Sequence, residues 1–320
     1  MRRADPARDP DRPLRHPLSQ TLVILNPWAG RGRGARSRGA VVRGLRDAGI
    51  SFELSETTGP GHAAGLAREA DAAGMARIIV AGGDGTIHEV ANALLAGPRA
   101  EDGATRVPIG VIPLGTGNDF AKLLGVHRLP PPVAAARLAA ARADRFDAGR
   151  VQGEYFDNIF GVGFDVEVVR HANRIRRLKG PLVYLAAIYR TFAVFQPPML
   201  EVRSDEHAES GAMMMLAVTI GVCGGGSFYI TPRADPTDGW LDVCLIRRVG
   251  LATFLRSVPK VMKGTHGELE DVAMYRSREV TVSSTDGTPL VLQLDGELRE
   301  PGVPSVTVTI EPGALRVMVV

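Results

Sequence analysis

The sequence predicts an α/β domain built on a parallel sheet, followed by a mainly antiparallel β domain. Three observations carry this prediction. In the first half, short apolar runs alternate with helical patterns, as a parallel sheet with helices on its faces requires. Glycine clusters follow the strand-like runs at 21–25, 77–81 and 109–113. Near residue 145 the texture changes to β-branched runs separated by turn signals, the pattern of a sandwich or barrel.

The elements follow in order. TLVIL (21–25) is a short buried-type run, and the glycine-rich NPWAGRGRGARS follows it. AVVRGLRDAG (40–49) has helical spacing and a glycine stop. SFELSE (51–56) alternates as a strand, and HAAGLAREADAAG (62–74) is an alanine-rich helix. RIIVA (77–81) is a buried strand. TIHEVANALLAG (86–97) is a helix whose Ile87, Val90, Ala91, Leu94 and Leu95 share one face. IGVIP (109–113) is a further strand, with GTGNDFAKLLG leading into a helix. Beyond the change in texture, the strand-like segments include FDNIFGVGF, AMMMLAVTIGV, WLDVCLI, EVTVSS, PLVLQLDGE, VPSVTVTI and LRVMVV. Helical patterns at 181–195 and 251–264 interrupt them. The organisation expected is a disordered arm at 1–18, an α/β domain at 19–145 and a β-rich domain at 146–310. The last strand, near 310–320, is free to return to the first domain.

Composition narrows the function. The 320 residues carry a formal net charge of only +3, without the basic stripe that nucleic-acid binding calls for. The first 18 residues alternate Arg, Asp and Pro and lack the apolar core of a signal peptide. No apolar run approaches the roughly 20 residues of a membrane span, so a cytoplasmic protein, peripheral at most to the inner face of a membrane, is expected. Cys223 and Cys244 lie in apolar runs and read as buried free thiols.

Ligands of open α/β sheets bind outside the carboxyl ends of the strands. Glycine there lets backbone N–H groups approach a phosphate, and the following helix N-terminus favours the anion. Three such clusters on one sheet point to a nucleotide or phosphate site. Neither the dinucleotide fingerprint nor the P-loop pattern with its lysine occurs. Pairs such as Asp102-Gly103 and Asp286-Gly287 read as plain turns.

NPWAG, GGDGTIHEV and PLGTGNDFA, in this order and spacing, resemble the catalytic domain of soluble diacylglycerol kinases and of sphingosine and ceramide kinases. TPRADPTDGWLDVCLI and LQLDGE resemble that family's later motifs, so the likeness covers roughly residues 20–320. It implies a Rossmann-like first domain of the NAD-kinase and phosphofructokinase type, a β-sandwich second domain, and transfer of phosphate from Mg-ATP to a diacylglycerol-like lipid at the membrane surface. ATP and Mg2+ are the implied cofactors, and relatives in the family often dimerise.

The resemblance also implies residue roles. Asn26, Pro27 and Gly30 would approach the ATP phosphates, and Gly82, Gly83, Asp84, Gly85, Thr86 and His88 would wrap them. Thr57, Gly115, Thr116, Asn118 and Asp119 complete the nucleotide contacts, with Asp84 and Asp119 near the magnesium of Mg-ATP through water. His88 stands where the family usually has asparagine. Asp295 and Glu297 would activate the substrate hydroxyl, a poor nucleophile until a carboxylate accepts its proton; which of the two does so is open. A structural magnesium would be held by the Asp238 carboxylate and the carbonyls of Asp235 and Trp240, the hard oxygen donors this ion prefers.

Residues 166–195 join a basic stretch (Arg170, His171, Arg174, Arg176, Arg177, Lys179) to an apolar one (Leu182, Leu185, Ile188, Phe192, Phe195). This pairing suits anionic headgroups beside an acyl-chain cleft. Three alternatives stay open: an NAD-kinase-like enzyme with a soluble substrate, a sphingoid- or ceramide-type lipid kinase, and a non-catalytic binding protein that retains the fold.

Overall fold

The computed structural model of the chain describes residues 21–174 and 181–319, excluding the side chains of 171–187. The expected arm at 1–18 lies outside the described residues. So do Arg176, Arg177, Lys179 and the side chains of His171, Arg174, Leu182 and Leu185.

The first domain is a parallel sheet of β2 (Glu53–Glu56), β1 (Thr21–Leu25), β3 (Arg77–Gly82) and β4 (Ile109–Pro113), in that spatial order. Every residue of β1 and β4 is buried, which is why these runs are continuously apolar instead of alternating: parallel strands are covered on both faces. One face packs Ile24, Ile78 and Val80 against α2 (His62–Ala72) and α3 (Asp84–Leu95). The other packs Val23, Leu25 and Ile79 against α1 (Ala29–Asp47) and α5 (Pro131–Ala140). Full burial of each such side chain contributes about 1.5–3 kcal/mol.

α1 starts earlier than its periodicity suggests. Its first turn breaks at Gly30, Arg31 and Gly32, whose φ values are 56°, 59° and 81°. The glycine-rich segment is therefore a left-handed kink inside a helix, a conformation glycine adopts readily and arginine rarely. Short α4 (Asp119–Leu123) follows the third glycine cluster.

β5 (Arg142–Val151) runs through the change in texture without a break, paired antiparallel with β15 (Ser305–Val319). The end of β15 also meets β4 in parallel, Val317 opposite Ile109. The two domains thus share long strands rather than a flexible linker.

The second domain is an antiparallel β-sandwich. β6 (Glu154–Phe156), β7 (Ile159–Gly163), β8 (Met199–Ser204), β9 (Ala208–Thr219), β10 (Leu241–Arg247), β11 (Val272–Ser277), β12 (Glu279–Ser284), β13 (Leu290–Leu294) and β14 (Glu297–Val303) join β5 and β15 there. Alternate residues such as Val202, Leu216, Val218, Val280, Val282 and Val308 fill its interior, as period-two patterning demands. α6 (Phe164–Arg174), α7 (Pro181–Val194) and α8 (Leu251–Lys263) lie outside it. Residues of α6, α7 and α8, among them Phe164, Val168, Ile188, Phe254 and Val258, form a separate apolar cluster with Met214, Met215 and Ala217 of β9. Both cysteines are free and buried.

Candidate active site

The three glycine loops leave β1, β3 and β4 at their carboxyl ends and meet. The Asn26 side-chain amide donates to Thr86 Oγ1 at 2.9 Å, joining the first loop to the second. Its carbonyl oxygen accepts from the Trp28 backbone N–H. Gly83 and Gly115 touch backbone to backbone. A Cβ on Gly115 would fall 2.6 Å from Gly83 Cα, so neither position admits a side chain without parting the loops. A Cβ on Gly30 would meet the Leu114 carbonyl at 2.3 Å. Pro27 lies between Asn26 and this kink, and its carbonyl accepts from Ala35 N–H. Thr57, buried just past β2, donates its backbone N–H to the Leu25 carbonyl. Gly82 closes β3, and Asp84 and Gly85 open α3. Asn118 takes a left-handed conformation at φ 54° to start α4.

Carboxylates gather where the loops converge. Asp84 accepts from the Phe120 N–H at 3.1 Å. Burial, reinforced by the Asp119 charge, pushes its pKa up to about 6. Asp119 accepts from the Gly226 N–H and pairs with Lys122 at 2.5 Å. Burial alone would lower the Lys122 pKa, but Asp119 outweighs it and holds the ammonium above its ordinary value.

The LDGE turn arrives from the second domain. Asp295 sits at φ 50° in the hairpin between β13 and β14, and its side chain is only 2% exposed. Its two oxygens accept the backbone N–H groups of Asp157, Asn158 and Ile159 at 2.8–3.0 Å. His88 Nδ1 meets the same carboxylate at 2.7 Å. Asp295 is thus a fully engaged brace between α3 and the sandwich. Glu297, by contrast, is exposed, and its Oε1 abuts the first turn of α3, 3.3 Å from where a Cβ on Gly85 would stand. Of the two carboxylates read as candidate bases, Asp295 is spent on backbone N–H groups and His88, whereas Glu297 is the exposed one.

His88, which the resemblance places among the residues around the phosphates, is engaged within the protein by residues of the second domain. Nδ1 lies 2.7 Å from Asp295 and Nε2 3.3 Å from Arg299 Nη2, whose charge opposes protonation of the ring, and the side chain is 7% exposed. Burial disfavours its imidazolium, but the hydrogen bond and charge of Asp295 prevail and raise its pKa above the ordinary value.

Sequence reasoning missed two further aspartates. Asp157, 4% exposed, has no hydrogen-bond partner for Oδ2 among the described residues. Burial first, then the charges of Asp295 and Asp84, raise its pKa well above the usual carboxylate range. Asp147, on β5, accepts from Gly239 N–H at 2.8 Å and Gly313 N–H at 2.6 Å, tying the ADPTDGW loop to β15. Neither belongs to a motif, so only tertiary structure reveals them.

The ADPTDGW loop places Asp238 Oδ2 3.1 Å from Arg276 Nη1, and Asp238 Oδ1 accepts from Trp240 N–H. Asp235 Oδ1 accepts from the backbone and hydroxyl of Thr237, leaving its carbonyl as the donor in question. Trp240 stacks under the Arg278 guanidinium at 4.7 Å. Asp242 lies alongside, with a buried Oδ2 that has no partner among the described residues. An oxygen-only set with an orphaned carboxylate oxygen fits a hard divalent ion. Among the described residues, however, no three His, Cys, Asp or Glu side chains converge as a ligand cage, so carbonyl oxygens would have to complete the shell.

One cavity of about 600 Å³ joins these chemistries. At one end it is lined by Asp84, Thr116, Gly117, Asp119, Asp157 and Asp295. At the other it is apolar, with Phe164, Val168, Ile188, Met214, Phe254 and Val258. Phe164 packs edge-on against Phe195 and Phe254, each at 5.4 Å. A second, polar cleft of about 680 Å³ carries Arg33, Asn118, Lys122, His127 and Arg128 and shares Thr116 and Gly117 with the first.

The glycine loops of a parallel α/β sheet thus open beside an apolar pocket of a β-sandwich. Residues 20–151 match the diacylglycerol kinase catalytic domain, and 158–319 match the YegS C-terminal NAD kinase beta sandwich-like domain. A diacylglycerol kinase of Bacillus subtilis (strain 168) is 31% identical over 281 residues, covering 88% of this chain and 90% of that protein. A YegS-like lipid kinase of Pseudomonas aeruginosa is 30% identical, covering 93% of each. The solved structure of a diacylglycerol kinase from Bacillus anthracis str. Sterne superposes with a TM-score of 0.71 at 21% identity, over 94% of this chain and 97% of that one. The chain belongs to the diacylglycerol kinase family of lipid kinases.

Proposed function

We propose that this protein transfers the γ-phosphoryl group of Mg-ATP to the hydroxyl of a diacylglycerol-like lipid at a membrane surface on the cytoplasmic side. The observation that carries this reading is the continuity of the carboxylate-lined crevice with an apolar cavity of about 600 Å³. A soluble substrate has no use for the phenylalanine- and methionine-lined end.

The triphosphate would lie across the loops of Asn26 to Gly30, Gly82 to Thr86 and Gly115 to Asp119, with Thr57 beside it. Backbone N–H groups at the start of α3 would face its charge. Magnesium would arrive with the nucleotide and neutralise developing charge on the phosphoryl oxygens. Asp84 and Asp119 would hold it through water. At the ADPTDGW loop a structural magnesium would take the Asp238 carboxylate and the carbonyls of Asp235 and Trp240.

In the transfer, the lipid hydroxyl oxygen bonds to the γ-phosphorus while the bond to the β–γ bridging oxygen breaks and ADP leaves. The hydroxyl proton passes to Glu297, whose position depends on the brace made by its neighbour Asp295. An assay with labelled ATP and a panel of lipid and soluble alcohols tests the reading. Label in the lipid phase, lost in Glu297→Gln, is the expected result; label only in soluble products would reject it.

A further inference from the structure

Two carboxylates of the cavity wall keep a buried oxygen without a partner among the described residues: Asp165, whose other oxygen accepts from Gln293, and Asp157, which lies beside Asp84 and Asp295. Asp157 follows β6 in the segment YFDNIF, and its backbone N–H is spent on Asp295. Its side chain is different. The residue is 4% exposed, Oδ2 lacks any partner among the described residues, and the charged groups bearing on it are Asp295 and Asp84, both acids. Arg33, the basic residue that lines the same cavity, donates to the Gly115 carbonyl, and Lys122 is occupied by Asp119 and the Gly226 carbonyl.

A buried carboxyl group without a partner, among like charges, destabilises the protein that carries it. Such groups concentrate where a ligand completes them. Asp157 lies in the cavity wall on the acidic side that also carries Asp84 and Asp119, and Ile159 and Phe164 follow it in the chain along that wall. A lipid whose reacting hydroxyl reaches the nucleotide crevice must bring the rest of its polar head past this point.

We propose that Asp157 selects the lipid: Oδ2 accepts a hydrogen bond from a second donor on the headgroup, adjacent to the hydroxyl that is phosphorylated. The preferred substrate is then a lipid alcohol with two donors, the second being either a hydroxyl or an amine. A diacylglycerol, with one hydroxyl, would leave Asp157 unpartnered. This inference rests on the lipid-kinase reading and narrows its acceptor to a lipid alcohol with a second donor, making diacylglycerol itself a poorer substrate of the same site. Sites built to hydrogen-bond a substrate group discriminate strongly against analogues that lack it, because their buried polar atoms are then left unpaired.

The test compares kcat/KM of the full-length protein for three lipids in mixed micelles: 1,2-dioleoylglycerol, 1-oleoylglycerol and a long-chain 2-amino-1,3-diol. The wild-type protein is expected to favour at least one two-donor lipid by about tenfold or more. In Asp157→Leu the selectivity ratio should fall toward one. In the isosteric Asp157→Asn, which keeps an acceptor but no charge, a preference for the second hydroxyl should survive and a preference for the amine should not. Thermal melting provides a folding check, and both variants should melt higher than wild type. Preference for dioleoylglycerol in the wild type, or an unchanged ratio in Asp157→Leu, overturns the proposal. Failure of the wild type to label any of the three lipids would instead reject the kinase reading itself.

Discussion

At the scale of single residues, His88 is the most informative. It bonds to a carboxylate 207 positions away and thereby fixes the turn that carries Glu297. Removing the ring leaves Asp295 short of one charge-assisted partner, which costs about 1.5–3 kcal/mol when buried. His88→Ala should therefore lower the melting temperature and reduce kcat at least about tenfold through misplacement of the turn, with KM for ATP little changed. His88→Asn, which restores an amide donor, should recover part of the loss.

The pH dependence has a defined sign. The His88 pKa is raised on folding above 6.5, so its ion pair contributes fully below about pH 6.5 and is lost as pH rises through the higher folded-state value. Melting curves from pH 6 to 9 should show this decline in wild type and not in His88→Asn. The sequence marked His88 as a departure from its relatives. It could not show which partner the ring had, because that partner lies in the other domain.

At the scale of elements, the glycine loops behave as one unit. Gly83 and Gly115 follow different strands yet approach so closely that a Cβ on either would fall within 3 Å of the other's Cα, so the geometry of one loop depends on the other. Gly115→Ala should force the loops apart, because its Cβ would lie 2.6 Å from Gly83 Cα and 2.7 Å from Asn118 Oδ1. We expect KM for ATP to rise by about tenfold or more, with the fold intact by circular dichroism. An unchanged KM would show that nucleotide binding does not depend on this contact.

The loops were legible because glycine clustered with asparagine or aspartate at a strand end serves either a tight turn or an anion cradle. Three such clusters on one sheet edge favour the cradle. The left-handed kink at residues 30–32 was not legible. An arginine at φ 59° follows no local preference, and α1 holds it because the flanking segments pack against Ala135, Leu138 and the Asn26 carbonyl.

At the scale of the molecule, the proposed function would require the lipid to leave a bilayer for the apolar cavity. α8 has no acidic side chain, and it presents Leu251, Leu255 and Met262 to solvent beside Lys260 and Lys263. No described helix is long and apolar enough to cross a membrane. Sedimentation with vesicles should show tighter binding to those containing acidic lipid than to neutral ones, with the difference shrinking as salt rises. Equal binding to both would remove electrostatics from the account.

The sequence by itself determined the fold class, the alternation of strands and helices in the first domain and the three glycine loops at one sheet edge. These are recorded locally, in periodicity and in turn residues, and a local record survives without coordinates. Tertiary structure alone decided that Asp295 braces α3 against the sandwich while Glu297 stays exposed, and which strand of the first domain β15 meets. It also decided that Asp157 stands unpartnered at the junction of crevice and cavity. Those facts depend on which buried groups meet across two domains, and burial converts an ordinary aspartate into either a satisfied strut or an acceptor awaiting a donor.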